Sequence, residues 1–159
     1  MAKATPEEQL SFGLSLVDLA HRWRRVIDGE LRPLGFSQAT WRTLFFVSRA
    51  GGQIRQKDLA VDIGIEGPSL VHLLDSLEDS GLIRREVSEA DRRAKLVNLT
   101  NTGKTEMRRI ETILNSVRGS LLQDLDKDQL SKCTKIFDVI KTNALAREAQ
   151  IVAETGGGY

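Results

Sequence analysis

Residues 65–100 read IEGPSLVHLLDSLEDSGLIRREVSEADRRAKLVNLT, a helical pattern followed by two strand-like segments. Its first half places Pro68 where a helix favours a first-turn proline, and apolar residues then recur at three- and four-residue steps until Gly81, which indicates an amphipathic helix. Its second half contains two short, mostly alternating segments, 82–87 and 95–100, which predict a two-stranded hairpin. The apolar positions of the helix are Leu70, Leu73, Leu74 and Leu77.

The residues before this stretch complete a helix-turn-helix. Ser37 is a suitable N-cap for a helix that closes at the glycine pair 51–52, and a short helix from Gln56 to Ile63 stops at Gly64. Two short helices joined by a glycine-containing turn are typical of helix-turn-helix domains. With the hairpin, the pattern predicts a winged helix-turn-helix over residues 37–100. The fold class is therefore mostly α with a small β-hairpin wing (α+β).

Long helices flank the winged domain on both sides. We expect residues 1–34 to form an N-terminal dimerisation helix and residues 101–150 to form C-terminal dimerisation helices, with a disordered tail over 151–159. These helices carry more apolar surface than a small middle domain can cover. Such a surplus indicates a partner, most simply a second copy of the chain.

The overall composition excludes several classes of protein. The chain has 159 residues and a net charge of +1, so any signal for nucleic-acid binding must be local. The single cysteine, Cys133, excludes an internal disulfide framework, and we expect it to be a small helix residue rather than an oxidant sensor. With no secretory signal or apolar run of membrane-spanning length, we expect a cytoplasmic, nucleoid-associated protein.

An enzyme is a poor interpretation of this sequence. The two histidines, His21 and His72, lie in different predicted elements. No segment resembles a phosphate-binding loop, a nucleophile elbow or a metal-binding helix. We therefore expect no catalytic residues, no metal and no cofactor.

The helix that begins at Pro68 has a face suited to DNA. Opposite the leucines, its N-terminal half carries short side chains and His72, whereas its C-terminal half is acidic. A helix approaching DNA by its N-terminus would present free N–H groups and the positive end of its dipole to phosphates. A solvated surface helix is an equally good interpretation of this helix alone.

The hairpin favours the DNA interpretation. Residues 82–95 contain five basic and three acidic residues, a local net charge of +2. An arginine at a hairpin tip fits a narrow minor groove, where the negative potential is strongest. Asp91 would be repelled by DNA unless paired, so we interpret it as fixing Arg92 or a neighbouring strand arginine in place. The competing interpretations are an ordinary turn former for Asp91 and solvated charge for Arg92 and Arg93.

These motifs match a known family. Residues 65–100 resemble the recognition helix and wing of MarR-type regulators, closest to the SlyA branch, and RWRRVIDGELRPLGFSQATW (22–41) extends the resemblance upstream. The shared motifs are G-L-I-x-R, D-x-R and T-x-x-G, and the helical layout agrees over residues 10–148. The resemblance implies a homodimer that binds double-stranded DNA at a pseudo-palindromic operator.

The resemblance also assigns roles to individual residues. It implies that Pro68, Ser69 and His72 contact the major groove and that Arg92 enters the minor groove. It also implies that Asp91 and Arg93 orient the wing. Our predicted DNA contacts are Pro68, Ser69, His72, Ser76, Arg92, Arg93 and Lys95, with Asp91 and Arg85 as wing-orienting residues. His72 stands where the family usually has arginine, which predicts altered and pH-dependent readout at that base pair.

A ligand site is the second expectation from the resemblance. Related proteins bind small aromatic acids where His21, Arg24, Trp41 and Phe45 would meet in this chain. A flat apolar wall and a guanidinium group suit an aromatic carboxylate, and the arginine-rich first helix also suits an aryl-CoA thioester. Plain core packing is the competing interpretation for the aromatic residues.

The predicted function is a sequence-specific, dimeric DNA-binding transcriptional regulator, with repression released by a small aromatic or acyl-thioester ligand. The alternative is a winged-helix module that binds proteins and has no ligand control. The wing discriminates between them, because a protein-binding module needs no paired arginines beside an aspartate, and its binding would not fall steeply with salt.

Overall fold

The computed structural model describes residues 3–89 and 91–154, and it confirms a mostly helical fold with a small antiparallel sheet. The helices are α1 (Pro6–Leu31), α2 (Gln38–Arg49), α3 (Gln56–Ile63), α4 (Gly67–Asp79), α5 (Asn101–Leu121) and α6 (Lys127–Glu154), with a short 3-10 turn over Arg32–Leu34. The strands are β1 (Gln53–Arg55), β2 (Ile83–Val87) and β3 (Lys95–Leu99).

Local capping explains where the helices begin and end. The Thr5 hydroxyl accepts the backbone N–H of Glu8, whose carboxylate accepts the N–H of Thr5, so α1 begins in a capping box. The hydrogen bonds from Thr5 hold the pKa of Glu8 below its ordinary value. Ser37 caps α2 as predicted. Gly64, with a φ of 72°, ends α3 in the left-handed conformation that glycine adopts readily.

The sheet has three strands, where the sequence predicted only two. Its order is β1-β3-β2, with both pairings antiparallel. Val97 in the central strand is paired with Ile54 of β1 and with Arg85 of β2. β1 escaped prediction because three residues are too few to show an alternating pattern, and its place in the sheet depends on pairing with residues far along the chain.

The chain divides into two compact units, at residues 118 and 119. In the first unit, α1 to α5 and the sheet enclose one core, in which Leu31, Leu44, Leu70 and Ile110 have no exposed surface. Burying each such side chain contributes roughly 1.5–3 kcal/mol. The division falls within α5 rather than at residue 100, because the earlier part of that helix packs into this core.

The outer helices keep large apolar surfaces exposed in the single chain. In the first unit, α1 buries Ile27 and Leu31, whereas its apolar residues closer to the N-terminus lie open. In the second unit, α6 has no buried residue over Lys127–Glu154. The exposed apolar residues of α1 include Leu10, Leu14, Val17 and Leu19, and those of α6 include Ile136, Phe137, Val139 and Leu145.

The C-terminal helix is longer than the sequence indicated. The prediction of a disordered tail from residue 151 is wrong for residues 151–154, because α6 continues through Glu154. The residues Ile151 and Val152 continue the helix, and the glycines that disfavour helix come only from residue 156. Residues 155–159 of the predicted tail lie outside the described residues. Across the described ranges, no helix has the length and apolarity of a membrane span.

Candidate nucleic-acid interface

The recognition helix, α4, is oriented by its buried leucines. Leu70, Leu74 and Leu77 pack into the core, while Leu73 is half-buried. The opposite face is consequently turned to solvent. Its exposed residues are Pro68, Ser69, His72 and Ser76, which are the predicted major-groove contacts.

The N-terminus of α4 is open to an approaching anion. The N-cap residue, Glu66, makes no side-chain hydrogen bond to the first turn, and Pro68 has no N–H to satisfy. The remaining free N–H groups and the positive end of the helix dipole therefore lie beside the exposed residues of this helix. This geometry suits contact with DNA phosphates through the start of the helix.

The tip of the wing is a β-turn with two arginines at its centre. The backbone N–H of Ala94 donates to the carbonyl oxygen of Asp91 at 2.8 Å, which closes a four-residue turn. Arg92 and Arg93 occupy the two central positions, and both are exposed. The fold thus places both arginines, exposed to solvent, in the turn that connects the two strands of the hairpin.

Asp91 braces this turn through the backbone rather than through an ion pair. Its carboxylate accepts the backbone N–H of Arg93 at 3.0 Å, and its own N–H donates to the buried Ser88 hydroxyl at 3.3 Å. No ion pair joins Asp91 to an arginine within residues 3–89 and 91–154. Asp91 therefore holds Arg93 through an Asx-type turn rather than through charge pairing, because an aspartate carboxylate readily accepts the backbone N–H two residues further along.

Arg85 fastens the wing to the recognition helix. Its guanidinium group donates to the Glu78 carboxylate at 2.6 and 2.9 Å and to the Asp75 carboxylate at 2.6 Å. The backbone N–H of Arg85 also donates to Glu78, at 2.7 Å. These bonds lower the pKa of Glu78 and raise that of Arg85. We call this set of residues the wing latch, and it joins β2 directly to α4.

A second joint, which the sequence analysis did not assign, lies at the base of the wing. The Thr100 hydroxyl donates to the Gly81 carbonyl oxygen at 2.6 Å and accepts the Gly103 N–H at 3.0 Å. At Gly103 a side chain has no room, since a Cβ atom would overlap the carbonyl oxygen of Leu82. The T-x-x-G motif was visible in the sequence, but its role depends on how closely α5 approaches this turn.

A separate cavity of about 740 Å³ lies between α1, α2 and α5 in the first unit. Flat aromatic side chains and guanidinium groups line this cavity together. No carboxylate is among the described side chains that line it. Its aromatic lining residues are Trp23, Trp41, Phe45 and Phe46, and its arginines are Arg24, Arg42, Arg49 and Arg118. We call it the arginine–aromatic cavity.

The structure brings together three of the four predicted ligand residues. Arg24, Trp41 and Phe45 line the cavity, but His21 does not. The α1 residues that face it lie at helical spacing, at positions 20, 23, 24 and 27, and His21 is turned away from that row. Trp41 is also a core residue, since it is 7% exposed, and its indole N–H donates to Asp28 at 2.9 Å.

The arginines of this cavity are held close to apolar surface. Burial lowers the pKa of Arg42, and the charge of Arg24 acts in the same direction. The Arg42 guanidinium group donates to the carbonyl oxygen of Ile63 at 2.9 Å, and Arg49 lies 5.9 Å from the centre of the Phe45 ring. An anion entering the cavity would relieve the repulsion between these cations.

Comparison with known proteins assigns the family. The MarR family model matches residues 34–94, which span α2 to the wing turn. The crystal structure of transcriptional regulator PA3341 is 37% identical in sequence, with a TM-score of 0.80, and the match covers 85% of this chain and 98% of that one. This chain belongs to the MarR family of transcriptional regulators. AbsC, a MarR family regulator from Streptomyces coelicolor, is 25% identical with a TM-score of 0.76, covering 92% of this chain and 99% of AbsC.

Two further solved structures that share the fold contain bound molecules. A MarR variant from E. coli, complexed with operator DNA, is 19% identical with a TM-score of 0.72, covering 87% of this chain and 99% of that one. CouR from Rhodococcus jostii RHA1, bound to p-coumaroyl-CoA, is 20% identical with a TM-score of 0.73, covering 81% and 90%. MarR family proteins are regulators rather than enzymes. Among the described residues of this member, no group of three or more metal-ligating side chains is present.

Proposed function

We propose that this MarR family protein is a sequence-specific, homodimeric DNA-binding regulator of the SlyA-like branch. The observation that carries the proposal is the wing latch. Arg85 ties the strand that leads to the paired tip arginines to the helix whose exposed face starts at Pro68. The exposed face of α4 and the wing tip are thus two DNA-contacting probes held at a fixed spacing. This arrangement suits a rigid duplex with two adjacent grooves.

In this proposal the two probes have different tasks. His72 and the short residues beside it read base edges in the major groove. Arg92 enters the neighbouring minor groove and responds to its width and potential, so its contribution is greatest at A·T-rich flanks. Arg93 and Lys95 contact the DNA backbone and contribute affinity rather than sequence preference.

A homodimer follows from the apolar faces of the outer helices. Leu14 is 64% exposed on α1, and Val139 is 61% exposed on α6. Faces of this kind are stabilised by burial against a partner, and a second copy of the chain provides two identical faces. Two winged domains in a two-fold dimer would bind the half-sites of a pseudo-palindromic operator.

We further propose that the protein acts as a repressor released by an anionic aromatic ligand. The arginine–aromatic cavity supplies four guanidinium groups and aromatic walls, which match a flat acid or its larger aryl-CoA thioester. CouR, a relative by fold, binds p-coumaroyl-CoA. A ligand that binds more tightly to the DNA-free conformation would lower the affinity for the operator.

The wing provides the direct test of DNA binding. Arg92→Ala should weaken binding to A·T-flanked duplexes and reduce the salt dependence, while leaving base preference in the major groove unchanged. Arg108→Ala, a change of an exposed arginine on α5, is the matched control. Fluorescence anisotropy at several salt concentrations measures both effects. Equal affinities of the two variants would contradict the role of the wing and favour the protein-binding module instead.

Ligand control has its own test. Benzoate, 4-hydroxybenzoate and their CoA thioesters are titrated into the protein–DNA complex, and the released fraction is followed by anisotropy. At least one compound should release the DNA from the wild-type protein at a concentration that has no effect on Arg24→Ala. If none of them lowers the affinity for DNA, the proposed ligand control is wrong, whereas the DNA-binding proposal stands.

A further inference from the structure

We infer that the cavity between the wing turn, α3 and the start of α4 is a seat for one strand of the DNA backbone, and that Arg55 and Lys57 contact its phosphates. This inference rests on the proposed DNA-binding function and adds two residues that lie outside the recognition helix and the wing. It assigns the ligand class as a phosphodiester rather than a base edge.

The cavity, which we call the basic cavity, has a volume of about 460 Å³. Arg55 and Lys57 approach it from the start of α3, Arg93 and Lys95 from the wing, and Gly67 from the start of α4. Three separate elements therefore meet around one depression. Leu70 and Ala60 also line it, so the charged groups surround an apolar floor.

The basic cavity has an excess of positive charge, which favours the binding of an anion. Four basic side chains and the single carboxylate of Asp91 line it, which gives a net charge of +3. In the described part of the chain, none of the four basic side chains forms an ion pair within 4.0 Å. A local excess of positive charge of this kind attracts anions such as phosphates.

The geometry of DNA indicates that this anion is the sugar–phosphate backbone. Adjacent major and minor grooves are separated by one sugar–phosphate strand. If α4 occupies the major groove and Arg92 the neighbouring minor groove, that strand must pass between them. The basic cavity lies at this place, since its lining includes both Gly67 at the start of α4 and Arg93 in the wing turn.

The start of α3 is built differently from that of a typical helix. Its N-cap residue is Arg55, which makes no side-chain capping hydrogen bond, whereas serine, threonine, aspartate or asparagine is preferred there. The first-turn N–H groups of α3 thus have no side-chain cap, and a guanidinium group replaces the cap. Arg55 therefore stabilises the start of the helix less than a capping residue would, and it places a positive charge beside the cavity.

The experiment combines charge removal in the protein with charge removal in the DNA. Duplexes selected by binding are prepared with neutral methylphosphonate linkages placed one at a time along each strand. Arg55→Gln and Lys57→Gln are compared with the wild-type protein, and Lys104→Gln, an exposed lysine at the start of α5, is the matched control. Affinity is measured by anisotropy between about 50 and 200 mM salt.

Arg55→Gln or Lys57→Gln should reduce affinity by about tenfold or more and lower the salt slope by about 0.9 for each phosphate that the variant no longer neutralises. A methylphosphonate in the strand between the two grooves should weaken the wild-type protein but have little further effect on Arg55→Gln, because both changes remove the same interaction. Base preference should be unchanged, and thermal unfolding confirms that each variant is folded.

The experiment distinguishes a failure of the backbone contact from a failure of the proposed DNA-binding function. If the wild-type protein binds a duplex but Arg55→Gln and Lys57→Gln behave like Lys104→Gln, the backbone seat is wrong and the DNA-binding function stands. If both variants bind more weakly but each reduction adds fully to that of every methylphosphonate, the two residues do not contact that strand, and the inference is again wrong. If the wild-type protein binds no duplex, both fail.

Discussion

His72 stands at a position of α4 where the MarR-type proteins that this sequence resembles usually have arginine. It lies on the exposed face of α4, within two turns of the helix start. An imidazole offers one donor or acceptor per ring nitrogen, whereas an arginine can bond a guanine at two points. The base pair opposite His72 should therefore be read less strictly than it would be by arginine.

Replacing His72 with alanine should change discrimination at one base pair of each half-site by about 1–3 kcal/mol and leave other positions unaffected. His72→Arg is the informative companion, since it should shift the preference at that pair toward guanine. Competition binding with all four bases at every operator position measures both effects. An unaltered preference at every position for His72→Ala would remove this residue from the readout.

The exposed face of α4 could be predicted from the sequence, but the hydrogen-bond partners of Arg85 and Asp91 could not. The helical period alone placed the exposed face of α4, because the leucines had to face the core. The two partners of Arg85, Asp75 and Glu78, lie seven to ten residues earlier on another element, so only the packing of β2 against α4 reveals them. Asp91 was interpreted from the sequence as fixing an arginine in place, but only the turn geometry reveals that it binds the backbone N–H of Arg93.

At the scale of elements, the wing latch sets how firmly β2 is held to α4. Arg85 has an exposed side-chain fraction of 18%, and Asp75 and Glu78 are partly exposed. Arg85→Met should lower the free energy of unfolding by about 1–2 kcal/mol, since charge-assisted bonds are removed while the apolar stem is kept. Arg84→Met is the control, because its pair with Glu86 is exposed and should contribute little.

The latch should also weaken in acid. Hydrogen bonds from Arg85 lower the pKa of Glu78, so the stability that they supply is complete above the ordinary pKa of glutamate. It is lost as the pH falls through the lower pKa of the folded state. Unfolding curves of wild type and Arg85→Met should therefore converge in that acidic range. A difference that persists unchanged at low pH would show that Glu78 is not the partner that matters.

The joint between the wing base and α5 makes a second prediction at this scale. Gly103→Ala should destabilise the fold by about 1–3 kcal/mol, because the new Cβ meets the backbone of Leu82, which cannot move aside as a flexible side chain would. Gly119→Ala, in the same helix with open space around it, should instead stabilise by up to about 1 kcal/mol. Denaturant unfolding of both variants tests the contrast, and equal effects would contradict it.

Most elements could be predicted from the sequence, and β1 shows why some could not. The helices have long apolar periods and recognisable ends, such as Ser37 and Gly64, which act locally. β1 has one buried residue, Ile54, and exists because β3 pairs with it more than forty residues later. The basic cavity was missed for the same reason, since its cations come from segments that are separated in the chain.

For the whole molecule, dimerisation should depend on the apolar faces of the outer helices. The double change Leu14→Glu and Val17→Glu should weaken the dimer by about 100-fold or more, because burying unpaired carboxylates costs roughly 3 kcal/mol or more. Val61→Glu is the control, since Val61 is 79% exposed on α3, outside those faces. Sedimentation velocity reports the masses. A dimer that survives the double change would contradict the proposed interface.

Selection from random DNA tests whether this protein binds DNA in a sequence-specific manner. The protein is incubated with random genomic fragments, the bound fraction is sequenced, and the affinity of the enriched duplex is measured at several salt concentrations. We predict an enriched pseudo-palindrome and an affinity that falls steeply with salt, as several phosphate contacts per dimer require. No enriched site together with a flat salt dependence would contradict the claim and indicate that the wing binds a protein.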